Sequence, residues 1–177
     1  MKLKKFDYGL AVMRLQPLHF GHTQLIDRMI AECNHPIIAI GSAQESRTYG
    51  NPFTYMERKR MVYSYYHSGQ LDNGMVVPIQ DIFNRGDWAR YVLTEVERRC
   101  KNKIGVYYCG SDQDGGLFLK EGIRVRLTDR DSGIHKGWSA SRVRNCILIG
   151  DDSWEQRVPK MLHKTIRRVY KGEEPTI

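Results

Sequence analysis

Five short apolar, β-branched runs recur along the chain: YGLAVM from Tyr8, PIIAIGS from Pro36, MVVPI from Met75, IGVYYCG from Ile104 and IRVRLTD from Ile123. Runs of this length, bounded by Gly, Pro and charge, read as strands. Between the first four lie longer stretches with helical spacing. After Gly21, the residues Leu25, Ile26, Met29 and Ile30 share one helix face, and Thr54 with Glu57 forms a capping box ahead of a second helix. Asp87 stands as N-cap of a third, which ends in Arg98, Arg99 and Lys101, favourable at the negative end of a helix dipole. Alternation of this kind needs crossover connections, so the expected fold is α/β, a doubly wound, mainly parallel sheet.

Beyond the fifth run, DRDSGIHKGW reads as a polar loop, SASRVRNCILIG as a short helix stopped by Gly150, and VPKMLHKTIRRVYKG as another ending near Gly172. No repeat or linker interrupts the pattern, so residues 1–177 are expected to form one domain, long enough to bury a core without disulfides or metal. Cys33, Cys100, Cys109 and Cys146 lie far apart with no zinc-site spacing, and read as reduced, mostly buried thiols. With no membrane-length apolar block and no secretory signal, the expectation is a soluble, cytoplasmic protein. A net charge of +8 calls for an anionic partner. The basic residues are spread rather than clustered, which favours a small phosphorylated substrate over nucleic acid or a membrane.

In a doubly wound sheet, ligands sit beyond the carboxyl ends of the strands. The first such place is RLQPLHFGH, where Gln16, Pro17 and Leu18 turn the chain and Gly21 lets the backbone come close to His19 and His22. A helix N-terminus offers unpaired N–H groups and partial positive charge, which suit phosphate. The same two histidines also fit plain capping or surface roles, whereas a zinc site lacks a third ligand nearby. A second element, WSASRVR, opens the late helix with Ser139, Ser141 and Arg144, whose guanidinium can fork onto phosphate oxygens. Alone, its serines read as caps.

Together, the H-x-G-H of His19–His22 and the late S-x-S/T-x-x-R of Ser139–Arg144 resemble the nucleotidyltransferase superfamily. RLQPLHFGH, GSAQESRTYGNPFTYMER, PIQDIFNRGDW, YYCG and SASRVR follow the order of its archaeal-type nicotinamide-mononucleotide adenylyltransferases. The resemblance implies a Rossmann-like fold with C-terminal helices, and transfer of AMP from ATP to nicotinamide mononucleotide to give NAD and pyrophosphate. It implies magnesium carried by ATP rather than a protein metal cage, and often a homo-oligomer. His19, His22, Arg14 and Arg144 are then catalytic. ATP is bound by Gln16, Pro17, Leu18, Gly21, Ser139, Ser141, Val143, Gly110 and Asp112. The mononucleotide is bound by Ser42, Gln44, Asn51, Pro52, Phe53, Asp81, Asn84 and Trp88, with Trp88 stacking on the nicotinamide ring and Asp81 accepting from its carboxamide. As bare residues, Trp88 reads as core, Asp81 as a cap, and Gly110 with Asp112 as a turn.

The chain departs from that pattern at Gly50, where many relatives carry a basic residue for which Arg47 is a candidate substitute, at Trp138, and around Asp112. The rival readings are another transferase of this type, acting on nicotinate mononucleotide, pantetheine phosphate or a cytidylyl donor, and a non-catalytic nucleotide- or nucleic-acid-binding module.

Overall fold

A computed structural model describes residues 4–67, 70–71, 73–128 and 139–173. The polar loop expected over 129–138, with Trp138, lies outside the described residues. The elements run β1 (Phe6–Met13), α1 (Phe20–Glu32), β2 (Cys33–Ile40), α2 (Tyr55–Tyr65), β3 (Met75–Pro78), α3 (Trp88–Cys100), β4 (Val106–Cys109), α4 (Asp112–Lys120), β5 (Arg124–Leu127), α5 (Ala140–Leu148) and α6 (His163–Tyr170). Short 3-10 turns over Arg85–Asp87, Asp152–Arg157 and Lys160–Leu162 precede α3 and α6.

All five expected strands form, in the order β3-β2-β1-β4-β5, and every pairing is parallel. Side chains of a strand alternate between the two faces of its sheet. Along β1, Leu10 accordingly joins one core, and Ala11 and Met13 the other. The first core is closed by Val92 and Val96 of α3 and Phe118 of α4. The second is closed by Ile26 and Met29 of α1, Met61 and Val62 of α2, Val143 of α5 and Ile166 of α6. The strand order reverses between β1 and β4, from which the chain proceeds to opposite edges of the sheet, and a crevice opens at their carboxyl ends.

The expected capping box is present, with the Glu57 N–H donating to Thr54 Oγ1 at 3.2 Å and the Thr54 N–H to Glu57 Oε2 at 2.8 Å. Asp87 stands at the N-cap of α3 but makes no capping bond; its carboxylate accepts from the Asn84 amide at 2.6 Å instead. Helix α4 is a further difference, because a turn was expected at Gly110–Asp112. The pair Gly115–Gly116 hides its helical periodicity, yet a Cβ on Gly115 would lie 3.0 Å from Val125 Cγ1 and 3.2 Å from Cys109 Sγ. Glycine there lets α4 close on the sheet. The late segment from Val158 is also more broken than one helix, with the 3-10 turn over Lys160–Leu162 ahead of α6. Cys33, Cys109 and Cys146 are buried, and all four cysteines are free thiols. Among the described residues no helix is long and apolar enough to cross a membrane.

Candidate active site

The crevice at the strand-order reversal holds a cavity of about 420 Å³, walled by the end of β1, the mouths of α1 and α5, and the tips of β2 and β4. Arg14, Gln16, His19, Gly21 and His22 reach it from the β1–α1 connection, and Ser139, Ser141 and Arg144 from α5. The early and late motifs, more than a hundred residues apart in sequence, therefore share one cavity. A direct bond joins them: Arg144 Nη1 donates to the Gln16 carbonyl at 2.8 Å.

The two histidines cap α1 and line the cavity at once. The Gly21 N–H donates to His19 Nδ1 at 3.1 Å, and the His19 N–H donates to His22 Nδ1 at 3.3 Å. A neutral imidazole that accepts at one nitrogen carries its proton on the other. The backbone thus sets both rings as Nε2–H donors, with ring centroids 3.7 Å apart. Gly21 is needed for this, because a Cβ at that position would lie 2.9 Å from His19 Cε1 and push the ring aside.

Arg144 is 4% exposed. Besides the Gln16 carbonyl, it donates from Nη2 to Ser141 Oγ at 3.0 Å, while its buried Nε has no partner among the described residues. Among the described residues no carboxylate lies within ion-pair distance of it. Burial, the largest influence, pulls its pKa below the usual range, against the opposing pull of the Tyr170 and Tyr49 hydroxyls. A buried cation with no counter-charge is costly unless an anion joins it. Ser139 acts as the cap of α5, accepting from the Arg142 N–H at 3.2 Å, and borders the cavity as well.

On the β2–β3 side, Ser42, Asp81 and Trp88 line the cavity. Ser42 has a positive φ of 47°, and the residue that holds it there was missed in the sequence. Arg58, fully buried on α2, donates to the carbonyls of Arg14 at 2.9 Å, Gly41 at 2.8 Å and Ser42 at 3.0 Å, and through Nε to the Thr54 carbonyl at 3.2 Å. Burial lowers its pKa to about 10. In the sequence YMERKRM it passes for part of a solvated charge run, although its spacing from Met61 and Val62 puts it on the apolar face of α2. Trp88 meets Phe118 edge-on at 5.6 Å, and Phe118 stacks on Tyr107 at 3.6 Å, so α4 buttresses the indole.

Several other expected contacts fall outside the cavity. Gln44 is exposed and clasps Asp81, donating from Nε2 to Oδ2 at 3.3 Å and accepting from the Asp81 N–H at 3.2 Å. Asn84 is engaged by Asp87 and by the Gly86 N–H. Pro17, Leu18, Pro52, Phe53 and Val143 are buried packing residues. Asn51 borders the loop rather than the cavity, and its N–H donates to Thr48 Oγ1 at 3.1 Å. Gln16 does border the cavity, but its amide is bound at both ends to the Phe53 backbone at 2.9 Å, so its side chain pins a loop. Arg47, the candidate substitute for a basic residue at Gly50, is half-exposed and engaged within its own loop. Its guanidinium grips the Glu57 carboxylate at 2.6 and 2.8 Å and the Pro52 carbonyl at 3.0 Å. On the β4 side Gly110 borders the cavity, whereas Asp112 is exposed on the outer first turn of α4; Asp114, two residues on, lines the cavity in its place, together with Thr128.

Residues 14–172 match the model of the cytidylyltransferase-like family. Curated relatives named nicotinamide-nucleotide adenylyltransferase include one from Thermococcus sibiricus, 33% identical with 94% of this chain and 86% of the relative covered, and one from Thermoplasma volcanium, 30% identical with 96% and 90% covered. Among solved structures, a bifunctional NMN adenylyltransferase/ADP ribose pyrophosphatase from Francisella tularensis, complexed with AMP and a manganese ion, superposes with a TM-score of 0.76 at 23% identity. That match covers 94% of this chain, which spans about half (51%) of the bifunctional protein's length. Strand order, crevice and sequence agree: the chain belongs to the cytidylyltransferase-like family of nucleotidyltransferases, and is about 30% identical over nearly its full length to archaeal NMN adenylyltransferases.

Proposed function

We propose that residues 1–177 act as one nucleotidyltransferase domain that transfers AMP from ATP to nicotinamide mononucleotide, forming NAD and pyrophosphate. The observation that carries this reading is Arg144, a buried cation with no carboxylate partner among the described residues, in one cavity with the Nε2–H donors of His19 and His22. The names of the 30–33% identical relatives support the choice of mononucleotide.

In this transfer the phosphate of the mononucleotide attacks the α-phosphorus of ATP and pyrophosphate leaves on the opposite side. One bond to the α-phosphorus forms as another breaks, and no protein nucleophile takes part. Catalysis then consists of holding two anions in line and stabilising the charge that builds on the equatorial and leaving oxygens. His19 and His22 donate from Nε2 to the triphosphate, and on the same wall Arg14 of the β1–α1 connection and Arg144 of α5 supply positive charge. The N–H groups at the mouths of α1 and α5 complete the grip. A divalent cation fits as a passenger on the triphosphate, neutralising charge there. Magnesium keeps several waters and is commonly held through substrate phosphates, which is the ligand set this reading assigns to it.

On the other side of the crevice, Trp88 offers an aromatic face to the nicotinamide ring, and Asp81, steadied by Gln44, accepts from the carboxamide N–H. A carboxylate at this point would repel the negative charge of nicotinate, which favours the amide substrate. The test is a coupled assay with protein, ATP, magnesium and each of nicotinamide mononucleotide, nicotinate mononucleotide and pantetheine phosphate, following pyrophosphate and adduct. NAD and pyrophosphate in equal amounts are expected from the first. Faster turnover of nicotinate mononucleotide would overturn the Asp81 assignment, and no product from any of the three would overturn the enzyme reading.

A further inference from the structure

The loop that follows β2 stands next to the mononucleotide side in sequence, yet one of its side chains crosses to the triphosphate side. The Tyr49 hydroxyl hydrogen-bonds to Asn145 Oδ1 on α5, and the Arg144 guanidinium lies 5.9 Å from the Tyr49 ring centroid. The loop around it is firmly anchored. Arg47 is bound to Glu57 and Pro52 on one flank, and Gln16 holds both backbone groups of Phe53 on the other. Tyr170 of α6 approaches from a third direction, its ring edge-on to Phe53 at 6.1 Å and its buried hydroxyl without a partner.

We infer that Tyr49 is a positioning residue for the triphosphate grip: its ring is one wall of the Arg144 seat, and its bond to Asn145 keeps that wall closed. Arg144 already spends Nη1 and Nη2 on Gln16 and Ser141, which fix two points of the guanidinium. A third constraint is needed to set the tilt of its plane, and an aromatic face near a desolvated guanidinium supplies one. Tyr49 is itself 65% exposed, so it contributes little to the core and its loss leaves the fold intact. The inference rests on Arg144 being a phosphate ligand, and it makes a claim that position in the chain would not suggest. A residue two places before Asn51 should govern ATP, not the mononucleotide.

The experiment measures the dissociation constant of magnesium-ATP by calorimetry, and both Michaelis constants, for Tyr49→Ala and Tyr49→Phe. Tyr49→Ala is expected to weaken ATP binding about tenfold, Tyr49→Phe, which keeps the ring, no more than about threefold. The Michaelis constant of the mononucleotide stays within about twofold of wild type. Repeated on an Arg144→Gln background, Tyr49→Ala adds nothing further to the loss of ATP affinity. Arg144→Lys, which keeps the buried charge but not the fork, serves the same cycle should the glutamine variant fold poorly. An effect confined to the mononucleotide, or one that persists undiminished without Arg144, overturns the inference. Wild-type protein that binds ATP but makes no dinucleotide overturns the choice of mononucleotide while leaving this cycle readable. Wild-type protein that binds no ATP overturns both.

Discussion

The two walls of the crevice are built in opposite ways. On the α1–α5 wall, His19 and Arg144 are at most 8% exposed, and both histidine Nδ1 atoms and two of the Arg144 nitrogens are bound inside the protein. On the β2–β3 wall, Gln44 and Asp81 are exposed and bound mainly to each other. Charge stabilisation works when donors are fixed before the reaction and need no reorganisation during it. A recognition edge that must admit and release a whole mononucleotide tolerates looser, solvated contacts. On the proposed function, the rigid wall should thus govern turnover and the grip on ATP, and the exposed wall affinity for the mononucleotide.

The largest expected effect comes from the buried strut beneath the exposed wall. Arg58→Met leaves the carbonyls of Arg14, Gly41, Ser42 and Thr54 without their donor, and should lower stability in urea unfolding by about 3 kcal/mol or more. A loss below about 1 kcal/mol would mean that the wall does not depend on it. His22→Ala should lower turnover about 10²- to 10³-fold with the fold intact, as expected when one preorganised donor is lost. Wild-type turnover in that variant would erase the contrast between the walls. Trp88→Ala should raise the Michaelis constant for the mononucleotide about tenfold and leave that for ATP unchanged; equal shifts in both would argue against stacking. Gln44→Ala frees the Asp81 carboxylate and should raise the same constant only about threefold.

A pH profile sharpens the picture at the loop anchor. Burial raises the pKa of Glu57, but hydrogen bonds from Arg47 and Thr54 outweigh it and hold the carboxyl below the usual range. A depressed folded pKa contributes stability above the unfolded carboxylate pKa, and that stability is lost as pH falls through the folded value. Wild-type melting temperature should therefore drop in acid more steeply than that of Glu57→Gln; parallel curves would show that the pair contributes nothing.

The legible parts of this protein are those where a local rule maps onto one outcome. Thr54 and Glu57 announce a capping box and form one, and the β-branched runs announce strands that pair as expected. The two readings of His19 and His22, cap or cavity, looked exclusive because sequence does not say which ring nitrogen does what. With Nδ1 used for the cap, the ring still has a second face to present. Arg58 stayed hidden because a charged residue at a core spacing is indistinguishable from surface until its carbonyl partners, up to 44 residues away, are in place. Asp114 was overlooked in favour of Asp112 because the glycines that let α4 approach the sheet also erased the signal of a helix. Arg47, a candidate substitute for a basic residue at Gly50, has its guanidinium on the Glu57 carboxylate. For Arg58 the missing information was a set of long-range partners.

The central claim is that this cavity transfers a nucleotidyl group by positioning alone, in one in-line displacement. It is tested most directly by the stereochemistry at phosphorus, using ATP made chiral at the α-phosphorus by sulfur substitution and determining the configuration of the dinucleotide formed. A single displacement predicts inversion. Retention would require a covalent nucleotidyl-protein intermediate and would contradict the account.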